Sequence, residues 1–530
     1  MNQFPSIWGG GQLLAFSGLD GETDFNNALC LQTSFDGFAF ALKNDTFNDA
    51  FLRYTGKMPD KVELTGDFFR FYSGDKISSG AFADSCNLLL TGEFEFDPTP
   101  EYEYISDGNK LLIAAKGFLK SDFLHADQEN IIRERSKFLR QIKISPELSE
   151  AAQKTVAKAL SQLKTQIYSP ERQISHYWST PDRWPHKQMW LWDSVFHAIG
   201  VRHIDPALAR DLISAMFDIQ QPDGMIPHSG NPSGFHPCTQ PPVLTVGMKL
   251  IDQISPCPEW ITGLAPKLAK YLEWIMANRD SDGAGLVEWQ VGKNANCRGN
   301  ESGMDNSSRF DGAIQLDAVD FNAFLAHECE TMAEFQPERK DYWLGHHQRL
   351  CRLINERLWN EELGIYVDYD VAGGKQCDIA ASAGFMPLLC GAATPEQAER
   401  LVGHLKNPET FGSALRIPSV AKNNRGYRKD MWCGPVWVNI NYLIILGLER
   451  YGYYDLAREI CQETMQEIEK WYLARGTLFE FYDDDKITEP ANLDRKGKRA
   501  ANPLSPYHLV MHDYGWTATL YLEMLYRRFL

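Results

Sequence analysis

Residues 145–167 read SPELSEAAQKTVAKALSQLKTQI, and the hydrophobic period changes inside this stretch. Leu148, Ala152, Val156, Leu160, Leu163 and Ile167 recur every three or four residues, so they fall on one helical face. Ser145 is a suitable N-cap and Pro146 suits the first helical position, so the spacing predicts a helix from Ser145 onward. Upstream the pattern is different. Phe38 to Leu42 (FAFAL), Phe68 to Tyr72 (FFRFY), Phe94 to Phe96, and Tyr102 to Ile105 leading through Asp107-Gly108 to Lys110–Ala114 are short alternating or aromatic runs bounded by turn residues. Half-buried antiparallel strands have that form. Residues 1–140 are therefore read as a β-sandwich-like N-terminal domain, and residues 141–530 as a helical domain.

Downstream the helical period recurs near 190–202, 206–220, 241–254, 259–278, 316–336, 338–357, 379–391, 395–406, 434–452, 454–474 and 513–529, which with the first makes twelve helices. Asp205-Pro206 and Thr394-Pro395 are cap signals, and Phe335-Gln336-Pro337 and Tyr451-Gly452 are tight connections between paired helices. Twelve paired helices point to an α/α toroid. In such a toroid the long loops gather at one end, where chemistry is expected.

The bulk composition narrows the class. At 530 residues and 44% hydrophobic the chain can bury a large core, and a formal charge of −17 argues against nucleic acid or an anionic membrane as partner. Eleven scattered cysteines, without a CxxC pair or histidines at ligand spacing, give neither a disulfide framework nor a zinc site. No run of eighteen apolar residues occurs, and the start MNQFPSIWGGGQLL has no basic, then apolar, leader pattern. The chain is expected to be cytoplasmic, to need no cofactor and to bind no metal; its oligomeric state is open. DSDGAGLVE (Asp280–Glu288) fails the EF-hand spacing and is read as a turn. The adjacent His346-His347 are read as surface residues.

Two segments offer acids for catalysis. ESGMDNSSRFD (Glu301–Asp311) holds three carboxylates and an arginine between apolar stretches, and FEFY (Phe479–Tyr482) embeds Glu480 among aromatics. An apolar surround raises a carboxyl pKa, and ring faces stack on sugars. Glycosidic bond cleavage with inversion needs one protonated acid and one carboxylate, about 6.5–9.5 Å apart with water between. Asp305 with Glu480 suits that requirement, although any of the three acids in the first segment suits the donor role. Trp190 and Asp193 in MWLWDS, His228 in QQPDGMIPH, Gln240 in TQPP, and Trp432 with Trp437 in MWCGPVW each suit polar or stacking contacts. Each also suits plain packing: Asp193 as a helix N-cap behind core tryptophans, His228 as a loop histidine. The basic run RKGKR beyond Asp483 is read as a solvated loop rather than a lid.

ESGMDNSSRFD resembles the acid-bearing signature of trehalases and of glycoside hydrolase family 63. WLWDS, QQPDGMIPH, TQPP, WCGPVW, the FEFY glutamate and the closing YGWTATLYL follow in the order seen in family members such as mannosylglycerate and glucosylglycerate hydrolases. The resemblance covers roughly residues 145–530 and implies an (α/α)6 barrel and an inverting exo-α-glycosidase acting on a small α-glucoside or α-mannoside. It implies Asp305 as general acid, Glu480 as general base, and Trp190, Asp193, His228, Gln240, Trp432 and Trp437 in the sugar pocket. Asp311 and Glu301 then become partners that fix the loop, with Arg309 as the cation. The chain departs from the glycerate hydrolases at Met431 and Asn300, where they usually carry tyrosine and tryptophan, so the leaving-group pocket is expected to differ. Its β-rich start is more like that of the larger glucosidases. The alternatives are a trehalase-like disaccharide hydrolase, a sugar epimerase or isomerase on the same barrel, and a sugar-binding protein without catalysis. An epimerase relies on histidine acid–base pairs, and the histidines here do not cluster at helix-paired positions.

Overall fold

The computed structural model describes residues 4–497 and 505–527. Eleven strands come first: β1 (Leu13–Ala15), β2 (Cys30–Thr33), β3 (Ala39–Lys43), β4 (Ala50–Tyr54), β5 (Lys61–Leu64), β6 (Phe68–Ser73), β7 (Lys76–Asp84), β8 (Asn87–Thr91), β9 (Phe94–Asp97), β10 (Tyr102–Asp107) and β11 (Lys110–Ala115). They form two antiparallel sheets, ordered β1-β2-β3-β4-β9 and β10-β11-β8-β7-β6-β5. Leu31, Phe40, Leu42 and Leu52 of the first sheet and Phe69, Phe71, Leu88 and Leu90 of the second bury into one apolar cluster, so the inward residues of both sheets share a core. The five runs identified in the sequence correspond to β3, β6, β9, β10 and β11. Strands β1 and β8 escape the alternation rule because both of their faces are covered, with β8 buried from Asn87 to Leu90. Strands do not run to residue 140. Asp127 caps a helix, α1 (Gln128–Arg135), followed by α2 (Lys137–Gln141).

The next helix, α3 (Glu150–Thr165), starts later than its sequence suggests. Ser149, not Ser145, is the N-cap, its hydroxyl accepting from the Ala152 N–H. Ser145 instead accepts from Glu147 N–H in a turn, which Pro146 suits equally well. The predicted face is correct, with Ala152, Val156, Leu160 and Leu163 all buried.

Eleven further helical elements then match the remaining predicted ones: α4 (Leu191–Val201), α5 (Pro206–Asp218), α6 (Leu244–Ile254), α7 (Pro258–Asn278), α8 (Val319–Phe335), α9 (Lys340–Leu353), α10 (Pro387–Cys390), α11 (Pro395–Lys406), α12 (Val438–Arg450), α13 (Tyr454–Arg475) and α14 (Gly515–Tyr526). The predicted end of the last one, 528–529, lies outside the described residues. Asp205 caps α5 through Ala207 and Leu208 N–H, and Thr394 with Gln397 forms a full capping box on α11. The stretch 379–391 is not one helix but a 3₁₀ turn (Ser382–Phe385) followed by α10, because Pro387 cannot donate within a continuous helix.

The packing alternates. Helix α4 packs on α6, α6 on α8, α8 on α10, α10 on α12, α12 on α14 and α14 on α4, while α5, α9 and α13 lie against α4, α8 and α12. Helices α4, α12 and α14 are buried on nearly every side, whereas α9 buries only Trp343 and Leu350. The chain is thus mainly helical with a sheet-rich N-terminal region. Among the described residues, no helix is long and apolar enough to cross a membrane. All eleven cysteines are free thiols.

Candidate active site

The site is assembled from loops that precede the buried helices. The Asp305 loop starts with a 3₁₀ turn, Asn300–Ser302, closed by Gly303 at φ +74°. A β-carbon at Gly303 would stand 2.3 Å from the Trp192 ring, so both the conformation and the close approach require glycine. Glu301 is fully buried and fixes the loop by accepting from Gln290 N–H (2.7 Å), Thr239 N–H and Arg279 (2.6 Å). Arg309 is not its partner: that guanidinium binds Asp320 and Asp368 at 2.7 Å each. Asp311 is exposed and lies 3.8 Å from Arg428. Sequence order placed the cation nearest the acids, but the fold brings Arg279 back across the strand Glu288–Gln290 to Glu301. Asn306 ties this loop to the next by donating to Asp430 and accepting from Trp432 N–H.

Trp432 and Trp437 stack face to face at 3.5 Å, and Trp437 donates to the Met431 carbonyl, which fixes the WCGPVW loop ahead of α12. Met431 adopts φ +45°, a strained conformation for a residue with a side chain. Glu480 sits in an extended segment paired with Met511 and, through Tyr482, with Val436. The aromatics around it do not face the site: Phe481 packs 4.9 Å from Trp437 and Phe479 against His512.

These loops line a narrow cavity of about 40 Å³. Trp190, Asp193, Gln240, Asp305, Trp432, Trp437 and Glu480 all line it, so seven of the eight residues picked out in the sequence converge. His228 stands behind, its ring edge-on to Trp190 at 4.4 Å, and burial pushes its pKa down to about 3, so it is a neutral support. Met431 joins the wall, whereas Asn300 does not. Asp193 is no N-cap: it lies inside α4, buried. Burial, reinforced by Glu480 and Asp182, holds its carboxyl well above the usual carboxylate range. Asp193 Oδ1 and the indole Nε1 atoms of Trp190, Trp432 and Trp516 are buried without a hydrogen-bond partner among the described residues.

Trp192, His186, Tyr514, Trp516 and Arg495 complete the wall. Tyr514 and Trp516 belong to the closing YGWTATLYL, where they read as helix-start aromatics, and no pattern separated wall from core. Arg495 belongs to the basic run read as solvated, and that reading is wrong for its described part. Arg495 is 2% exposed and grips both oxygens of Glu480, at 2.8 and 3.0 Å, and Lys496 Nζ lies 2.6 Å from Asp305 Oδ2. Burial alone would raise the Asp305 pKa, but Lys496, with Arg495, outweighs it and holds the carboxyl below its ordinary value. Lys498 and Arg499 lie outside the described residues.

Among the described residues, two carboxylate groupings have the count for a cation. Asp282, Glu288 and Asp317 converge at the end of the DSDGAGLVE turn, where Arg357 already reaches Asp317 and Asp282. Asp483, Asp484 and Asp485 are met by Lys422 and Lys429. Neither borders the cavity. His347 is half-buried and its Nδ1 donates to the Ala326 carbonyl, so it is not a free surface residue.

A family model described as the mannosylglycerate hydrolase MGH1-like glycoside hydrolase domain matches residues 186–517. The chain is 25% identical over 386 residues to a mannosylglycerate hydrolase of Thermus thermophilus, covering 56% of this chain and 88% of that one. It is 22% identical over 392 residues to mannosylglycerate hydrolase MGH1 of Selaginella moellendorffii, covering 58% and 77%. The structure of the family 63 mannosylglycerate hydrolase from T. thermophilus in complex with glucose superposes with a TM-score of 0.57 at 22% identity, over 69% of this chain and 98% of that one. The stretch that the family model matches carries every residue of the cavity wall, and the chain belongs to the MGH1-like glycoside hydrolases of family 63 and is a glycosidase.

Proposed function

We propose that the protein is an inverting exo-α-glycosidase that hydrolyses a small α-glucoside or α-mannoside, of the disaccharide or sugar–glycerate type, with Asp305 as general acid and Glu480 as general base. The observation that carries this reading is the cavity itself: two separately held carboxylates in one tryptophan-walled space. Indole faces cover apolar sugar faces, and the unpartnered indole N–H groups and Asp193 Oδ1 suit hydroxyls, which both donate and accept. Glu480, fixed by Arg495, takes a proton from the attacking water. Asp305 gives its proton to the leaving oxygen as the C–O bond breaks. Gln240, whose Oε1 accepts from Trp192 N–H, leaves its amide for the substrate.

The alternating packing of helices α3–α14 supports an (α/α)6 barrel for residues 141–530, and the shared core of the two sheets supports a β-sandwich domain for residues 1–140. Free thiols support a reducing, cytoplasmic setting. The test is to incubate the protein with α-linked disaccharides, glucosylglycerate and mannosylglycerate and to follow the first-formed anomer by NMR. Release of the β-anomer of the sugar is expected. Release of the α-anomer, or no hydrolysis of any α-glycoside, overturns the reading.

A further inference from the structure

Consecutive residues of one strap, Arg495 and Lys496, each hold one of the two carboxylates assigned to catalysis. The strap is pinned to the rim. Met431 N–H donates to the Asp494 carbonyl at 3.0 Å, Asp494 N–H to the Lys429 carbonyl, and Gly497 N–H to the Asp430 carboxylate at 3.1 Å. Lys496 itself adopts φ +55°, in the left-handed region that residues with a β-carbon enter only where their surroundings impose it. The two pairings differ in meaning. A general base must be ionised, so Arg495 on Glu480 fits catalysis as it stands. A general acid must carry a proton, and an ammonium at 2.6 Å favours the carboxylate.

We propose that Lys496 is a positioning residue for the acid step: docked, it caps Asp305 as the carboxylate, and turnover requires it to move off. The inference rests on the assignment of Asp305 as general acid. The groups facing Asp305 are Lys496, Arg495, His228 and Cys297. Arg495 stays cationic. His228 is neutral through burial, and burial keeps the Cys297 thiol protonated, pushed up to about 11. Of the two cations, Arg495 is committed to both oxygens of Glu480, so Lys496 is the one whose displacement alters the charge against Asp305 without breaking that grip. It also fills the space on Oδ2 where a leaving oxygen would accept a proton, since a donor must come within about 3 Å of its acceptor. When a substrate displaces it, Asp305 takes a proton from solvent, passes it to the leaving oxygen as the glycosidic bond breaks, and Glu480 takes one from the attacking water. Protons balance over the cycle.

The experiment reads Asp305 in the unliganded protein by infrared difference titration, wild type minus Asp305→Asn. A wild-type midpoint below 4 is expected, with Lys496→Met moving it up by one pH unit or more, about the effect of losing an adjacent opposite charge. Lys496→Arg should leave it near wild type. In parallel, the basic limb of kcat for the α-glycoside cleaved in the panel should lie at least one pH unit above that of kcat/KM, because kcat reports the complex and kcat/KM the free enzyme. That gap should close in Lys496→Met. A wild-type midpoint above 5, an unmoved midpoint in Lys496→Met, or coincident limbs in wild type overturns the inference. If Lys496→Met does not fold, Lys496→Gln and the wild-type midpoint decide. Absence of any hydrolysis defeats the assignment of function instead, and the titration still reports on the Lys496 pairing.

Discussion

Asp305 and Glu480 are chemically similar side chains in one cavity, and what distinguishes them is the geometry of their cations. Glu480 is gripped by both ends of a guanidinium, a planar fork that fixes orientation as well as charge. Asp305 meets a single point charge on a flexible stem, which can leave. Asp305→Asn should lower hydrolysis of α-glycosides by about 10²–10⁴-fold while sparing an α-glycosyl fluoride, whose leaving group needs no proton; Glu480→Gln should abolish both. Steady-state rates on the two substrates check this, and equal losses in Asp305→Asn would remove it from the acid role. Gly303 is the residue on which the loop's approach depends. Gly303→Ala must force a β-carbon into the Trp192 ring and strain a left-handed backbone, so a loss of about 1–3 kcal/mol in denaturant unfolding is expected, together with reduced turnover.

Between elements, buried polar contacts set how the helices meet. Glu328 on α8 accepts from both the backbone N–H and the hydroxyl of Thr245 on α6, while its second oxygen is buried without a partner. Burial raises its pKa to about 8 from 4.5. A carboxyl whose folded pKa is raised contributes stability below its unfolded pKa and loses it as pH climbs through the folded one. Unfolding free energy should therefore fall as pH rises from 4.5 to 8, with a slope on the order of 1.4 kcal/mol for each pH step of about one. Glu328→Gln should flatten that fall and stabilise the protein at about pH 8, as read by denaturant melts at about pH 5 and about pH 8. An unchanged slope would show that Glu328 does not titrate in that window. At this scale the sequence was informative where backbone chemistry is local: Asp205, Thr394 and Pro395 mark their helix starts correctly. It misled where a local signal had two uses, as at Ser145-Pro146, which make a turn one step ahead of the helix they seemed to begin.

The whole molecule is joined at Asp513. One of its oxygens accepts from the Leu13 backbone in β1 and from Lys158 on α3, at 2.9 and 2.7 Å, and the other from the Thr477 hydroxyl. A single buried carboxylate thus links the first sheet, the first long helix and the segment entering the last. Asp513→Ala leaves Lys158 buried and unpaired, and a cost of about 3–5 kcal/mol is expected, measured by urea unfolding with fluorescence and far-ultraviolet dichroism. If the two sheets unfolded separately from the helices in the wild type, the coupling ascribed to Asp513 would not exist.

By itself the sequence determined the helical period after residue 149, the strand character before residue 116, and the order of the loops that carry the cavity wall. Those features follow from backbone geometry and side-chain period, which act over a few residues. Which aromatics face the cavity rather than the core, which cation holds Glu301, and that Arg495 and Lys496 turn inward were decided only by the tertiary structure. Charge pairing and burial depend on atoms that only the fold brings together, as it brings Lys496 to Asp305. A run of basic residues looks the same in sequence whether it meets water or two carboxylates of a cavity wall.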